Sequence, residues 1–132
     1  MNELTTTSAG GLIALKYGAK NELQEFKPFQ RDILLFDTYI AGTSHIENIA
    51  ALEPGIKVGD RLNFFRETEN EYDANAIVIK TAANEKIGYV PQKDNIVFSR
   101  LMDAGKLLFG TVKAKELRGK WVKISIDIYL HE

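Results

Sequence analysis

A chain of 132 residues has room for one hydrophobic core, and its 45% hydrophobic content is that of an ordinary globular domain. Against 18 Asp and Glu stand 17 Lys and Arg, and the net charge of −1 argues against a non-specific nucleic-acid coat, which needs many phosphates neutralised from one surface. Zero Cys excludes disulfides and thiolate metal sites.

No apolar run approaches the ~20 residues that span a bilayer, and the N-terminus lacks the basic-then-apolar order of a signal peptide. The cytoplasm is therefore the expected compartment, with no membrane contact. The first 11 residues are poor in large apolar groups, too poor to offset ordering entropy. With the weak pattern of Leu12, Leu15, Leu23, Phe26 and Phe29 they make an N-terminal arm over 1–32, partly disordered or packed on the domain that fills 33–132. Ile33 to Ala41, aromatic and β-branched, reads as the first core strand. Ser44-His45-Ile46-Glu47 has the form of a capping box that starts a short helix to about Leu52 and buries Ile46 and Ile49. Pro54-Gly55 ends it, Gly59-Asp60 makes a turn, and strands near 61–66, 76–81 and 86–90 follow. Asp94 caps a second helix, whose Val97, Leu101 and Ala104 recur at helical spacing, and Gly105 stops it. Leu107–Leu117 and Trp121–Leu130 form a hairpin about Arg118-Gly119. In its second arm Val122, Ile124, Ile126, Ile128 and Leu130 point one way, and Trp121, Lys123, Ser125, Asp127 and Tyr129 the other. The fold class is mainly β with two short helices (α+β), its six strands closed or nearly closed into a barrel.

The richest chemistry lies between the second and third strands, in Arg66-Glu67-Thr68-Glu69-Asn70-Glu71-Tyr72-Asp73-Ala74-Asn75. These residue types bend chains, so Arg66, Asn70, Tyr72, Asp73 and Asn75 should share an exposed connection held by a rigid scaffold. Each residue has a plain structural reading. Asp73 caps its own turn, Asn70 and Asn75 fix backbone shape, Arg66 pairs with Asp73 or Glu67, and Tyr39 and Tyr89 are core-edge tyrosines. Lys113, Lys115, Arg118, Lys120 and Lys123 form either a local basic patch or a solvated hairpin edge guarded by lysines. His45 and His131 have no visible nucleophile or carboxylate partner. Glu67, Glu69, Glu71 and Asp73 alternate as a Mg²⁺ cluster on a strand would, but Asn70 and Tyr72-Asp73-Ala74-Asn75 favour a turn that breaks that register. Neither catalysis nor a cofactor is expected.

The string Arg66-Glu67-x-x-Asn70-x-Tyr72-Asp73-x-Asn75-Ala76-Ile77, preceded by Phe36-Asp37-Thr38-Tyr39-Ile40-Ala41-Gly42-Thr43, closely resembles the HIRAN domain. Ile87-Gly88-Tyr89-Val90-Pro91 and Leu101-Met102-Asp103-Ala104-Gly105-Lys106 extend the resemblance over roughly Leu34 to Leu130, and the size is that of free-standing bacterial members. The resemblance implies a small OB-like barrel that captures the 3′ end of single-stranded DNA, as in an accessory module of fork-remodelling ATPases. A role in DNA repair or replication-fork processing follows from it, with a helicase or nuclease as protein partner. Tyr72 then matches an aromatic that stacks a base, Asp73 the acid that receives the terminal 3′-hydroxyl, and Tyr39 a second stacking residue. A carboxylate accepts from a hydroxyl and repels a phosphate, so Asp73 would select a 3′-OH over a 3′-phosphate. Tyr129, opposite the aliphatic row, falls near another family aromatic. DNA-binding eukaryotic relatives carry a basic residue where this chain has Thr38, and His and Lys in the region of Tyr89 and Gln92. The candidate nucleic-acid contacts are Tyr39, Arg66, Tyr72, Asp73, Tyr89 and Tyr129. The rival reading is a protein-interaction adaptor, in which the same aromatic cleft or the N-terminal arm docks a peptide or a second copy.

Overall fold

Apolar and polar residues alternate along the chain, and in the computed structural model, which describes residues 31–132, these stretches become six strands. The arm expected over 1–32 lies almost wholly outside the described residues. The strands are β1 (Asp32–Tyr39), β2 (Arg61–Arg66), β3 (Ile77–Thr81), β4 (Lys86–Tyr89), β5 (Leu107–Arg118) and β6 (Trp121–His131). Helix α1 (Ile49–Leu52) precedes β2, and α2 (Asn95–Asp103) precedes β5. All pairings are antiparallel, in the order β1-β6-β5-β2-β3-β4. Past β1 the chain crosses to the opposite edge. Ala41 and Tyr89 exchange backbone hydrogen bonds of 2.8 and 2.9 Å, and the Ile40 N–H donates to the Ile124 carbonyl at 2.9 Å. The sheet thus curls into a mainly β, OB-like half-barrel.

The core follows the alternation in β6. Val122, Ile124, Ile126 and Ile128 are buried with Leu62, Phe64, Ile77 and Ile79 from the facing strands, each side chain contributing about 1.5–3 kcal/mol of transfer free energy. Leu130, at the barrel end, is half-buried.

Both helices depart from expectation. Ser44 and Glu47 are exposed and form no capping box; a 3-10 turn begins after Gly42, and α1 is a single turn with no side-chain cap. The hydroxyl used here belongs to Thr43, which donates to the Val122 carbonyl at 2.8 Å from a buried position. Ile46 and Ile49 are only half-buried. In α2 the Asp94 carboxylate caps nothing and instead accepts from the Thr38 hydroxyl at 2.9 Å. Val97 and Ala104 face solvent; the buried residues are Asn95, Phe98 and Ser99. Phe98, 5.8 Å from Phe36 between ring centroids, fixes this rotation from one side. Gly105 does end the helix, at φ +94, with the Gly105 N–H on the Met102 carbonyl and the Lys106 N–H on Leu101, a Schellman motif.

In the hairpin, Lys113 pairs with Asp37 at 3.1 Å, Lys115 with Glu53 at 2.6 Å and Arg118 with Glu116 at 3.2 Å. These acids compensate much of the cluster, which leaves it a solvated edge rather than an open basic patch. Among the described residues no helix is long and apolar enough to cross a membrane.

Candidate nucleic-acid interface

Between β2 and β3 the chain is folded by its own polar side chains. Asn70 is the hub. Its Oδ1 accepts the N–H groups of Tyr72 (2.8 Å) and Asp73 (2.9 Å), while its Nδ2 donates to Glu67 at 2.7 Å. Asp73 repeats the device, with Oδ1 accepting the Asn75 N–H at 2.9 Å. The Glu67 N–H closes the mouth of the loop on the Ala76 carbonyl at 3.0 Å.

Arg66 braces the return leg from beneath. Its guanidinium, with the side chain 14% exposed, donates to the carbonyls of Ala76 (2.8 Å) and Ala74 (3.0 Å) and to Asp103 at the end of α2 (2.9 and 3.3 Å). It pairs with neither Asp73 nor Glu67. Helix α2 grips the loop again at its start, where Asn95 Nδ2 donates to Asp73 Oδ2 at 2.7 Å. Ser99, one turn on, reaches Asn75 at 3.4 Å. Neither Asn95 nor Ser99 was among the expected site residues, although two polar groups at i and i+4 flanking Phe98 mark the same helix face. Asn95 is 1% exposed, and its Oδ1 has no hydrogen-bond partner among the described residues.

Tyr89 enters through its hydroxyl, which donates to Glu67 at 2.7 Å and accepts from Lys86 at 2.8 Å. The hydrogen bonds from Asn70 and then Tyr89 hold the Glu67 carboxyl below the usual carboxylate range, with Lys86 and Lys80 adding electrostatic support. A folded-state pKa below the unfolded one contributes stability that is complete above the ordinary value of 4.5 and is lost as pH falls through the lowered value. Acidification below about pH 4.5 should therefore destabilise the parent more than a Glu67→Gln variant, as read by thermal unfolding across a pH series. Parallel pH profiles would remove Glu67 from the network.

Within this frame Tyr72 is 92% exposed although its backbone is fixed. Tyr39 ends β1 opposite Ser125, half-buried, with Lys93 Nζ 5.6 Å from its ring centroid. Three consecutive residues tie these parts together: Lys93 lies over Tyr39, Asp94 bonds Thr38 and Asn95 bonds Asp73. Arg66, Tyr72, Asp73 and Tyr89 thus form one connected cluster, joined to Tyr39 through residues 93–95. Tyr129 stands apart. It sits four residues along β6 from Ser125, about 13 Å at ~3.3 Å per residue, and stacks on Phe109 at 5.3 Å and 12°. Among the described residues no group of three His, Cys, Asp or Glu side chains is placed to hold a metal ion.

The model of the HIRAN domain family matches residues 33–132. The chain belongs to the HIRAN domain family. HIRAN domains are known as DNA-binding modules. This HIRAN domain is similar in structure to a protein from Lactobacillus plantarum, with TM-score 0.73 and 26% identity over 78% of this chain and 98% of that one. It is also similar to the HIRAN domain of human HLTF, with TM-score 0.60 and 14% identity over 76% of this chain and 78% of that one, a likeness of fold alone. Among curated proteins none matches.

Proposed function

We propose that this HIRAN domain is a non-catalytic module that binds the free 3′-OH end of single-stranded DNA, in DNA repair or replication-fork processing beside a helicase or nuclease. The observation that carries the reading is Tyr72, a ring 92% exposed on a loop whose Asn and Asp side chains are spent on holding its backbone still. The ring contributes little to folding from that position, and its faces are open to stack on a base. In this reading Tyr72 and Tyr39 stack terminal bases, and Asp73 takes the terminal hydroxyl. Each Asp73 oxygen already accepts one hydrogen bond, and a carboxylate has about four acceptor sites, so capacity remains for a hydroxyl. Lys93 brings positive charge beside Tyr39, where Thr38 brings none. Arg66 acts as a positioning residue, and Tyr89 steadies Glu67.

Asp73→Ala tests the division of labour. Losing the turn cap and stranding Asn95 should cost about 1–3 kcal/mol of stability, read by denaturant unfolding. The folded variant should also lose any preference for a 3′-OH over a 3′-phosphate oligonucleotide. A destabilised variant that keeps the preference would leave Asp73 a brace only. The adaptor reading, in which the same aromatic cleft or the N-terminal arm docks a peptide or a second copy, is favoured by one further observation, an apolar groove of Leu35, Phe36, Val97, Phe98 and Leu101 between the β1 edge and α2. It takes first place if the parent binds no DNA at micromolar concentrations.

A further inference from the structure

The side chains that alternate with the core row cover the outer face of the sheet, and on β2, β3 and β4 they are cations set among rings. Lys80 lies 5.2 Å from the Phe65 ring centroid, Lys86 4.6 Å from that of Tyr89, and Arg61 4.0 Å from that of Phe109. The register places them together. Tyr89, Val78 and Phe65 form one cross-strand row, and Lys86, Lys80 and Asn63 the next. Arg61 follows two residues along β2.

Two features separate this face from a merely solvated one. Lys80 and Lys86 are directly opposed, and like charges in that position are destabilising. Among the described residues Lys80, Lys86 and Arg61 have no ion-pair partner, although Glu67 is close enough for both lysines to lower its pKa. On the β5 and β6 side the charge is balanced instead, with Lys113 paired to Asp37 and Asp127 in the row of Arg61 and Thr111. Phe65 is 44% exposed, so its ring is accessible beside Lys80. The face is continuous with the displayed loop, since Tyr89 bonds Glu67, Glu67 bonds Asn70 and Asn70 holds Tyr72.

We propose that this face is a track for single-stranded DNA leading away from the end-binding loop, with phosphates on Lys86, Lys80 and Arg61 and a base stacked on Phe65. The proposal rests on the end-capture reading. A polyanion relieves the Lys80–Lys86 opposition and meets cations that have no ion-pair partner among the described residues, and sequence-tolerant stacking suits a strand of any composition. The strands lie ~4.8 Å apart, so β4 to β2 spans about 10 Å, and Phe65 to Arg61 adds about 13 Å along β2. A few nucleotides beyond the captured end therefore reach all three cations.

The experiment compares 3-nucleotide and 10-nucleotide oligothymidylates, both with free 3′-OH ends, across a salt series by fluorescence anisotropy. The longer strand should bind at least five-fold tighter at low salt, with a log–log salt slope steeper by about 1.4, the value at ~0.7 each for the phosphates on Lys80 and Arg61, Lys86 beside Tyr89 being within reach of both lengths. The double variant Arg61→Gln/Lys80→Gln should bind the 10-mer like the 3-mer and leave the 3-mer unchanged. Equal slopes for both lengths in the parent, with binding retained, would overturn the track and leave end capture standing. Binding to neither length would overturn both. If the variant does not fold, the parent slopes alone decide. A decaglutamate peptide that competes as well as the 10-mer would also overturn the proposal, because it offers charge without bases.

Discussion

Tyr72→Ala should weaken single-stranded DNA binding by roughly five- to more than a hundred-fold, the equivalent of the ~1–3 kcal/mol that stacking one base on an aromatic contributes. Its fold should be unaffected. The ring is 92% exposed, and the bonds that shape the loop come from Asn70, Asp73 and Arg66, so the substitution falls among surface changes within about 0.5 kcal/mol. Tyr72→Phe keeps the π face and should bind like the parent. Tyr39→Ala is the informative contrast, because that ring is half-buried at the end of β1 and its loss should lower thermal stability as well as affinity. Titration of a labelled oligonucleotide against each folded variant reads all three. A Tyr72→Ala protein with parental affinity would remove the ring from the interface.

Gly88→Ala should be the most damaging small substitution in the barrel. Gly88 lies at φ +154 beside the Ala41–Tyr89 bridge, and a Cβ there would sit 2.4 Å from Ile40 Cγ2 and 2.5 Å from the Ala41 carbonyl oxygen. Neither neighbour can yield cheaply. Ile40 is 1% exposed in the core, and the Ala41 oxygen accepts the Tyr89 N–H. Overpacking of this kind costs about 1–3 kcal/mol or more, and at ~4–8 °C per kcal/mol the melting temperature should fall by roughly 5–20 °C. Hydrogen exchange should localise the damage, with the Ala41 and Tyr89 amides losing protection before those of the β5–β6 hairpin. An unchanged melting temperature would mean that the join between the two ends of the sheet is loose.

The strands were legible because alternation along a strand is a local signal. Ile124, Ile126 and Ile128 announce the β6 core row without reference to any partner. The join at Ala41 and Tyr89 was not legible, since a single bridge between residues far apart in sequence leaves no mark in residue type. Apolar spacing put Val97 inward, but the rotation of α2 is set by Asn95 and Ser99 bonding a loop some twenty residues upstream and by Phe98 against Phe36. The capping box failed for a similar reason. Thr43 is drawn to the Val122 carbonyl, and the chain turns before Ser44 reaches a helix start. At the candidate site, residue types sufficed to place Asn70, Tyr72, Asp73 and Asn75 in one loop. The partners of Arg66 did not follow from them, because Asp103 comes from the far end of a helix, and the separation of Tyr129 depended on register.

End capture requires the Asp73 carboxylate to meet the terminus of a bound DNA chain. Placed against a terminal phosphate at ~4 Å, Asp73 would meet a repulsion of about 1 kcal/mol per unit charge in water and ~4 kcal/mol at the lower effective dielectric near a protein surface, whereas a hydroxyl would donate to it. The direct measurement is the affinity of the parent protein for one short oligonucleotide carrying either a 3′-OH or a 3′-phosphate, at matched salt. The hydroxyl form is expected to bind at least about five-fold tighter. Equal affinities, or a preference for the phosphate, would contradict end capture.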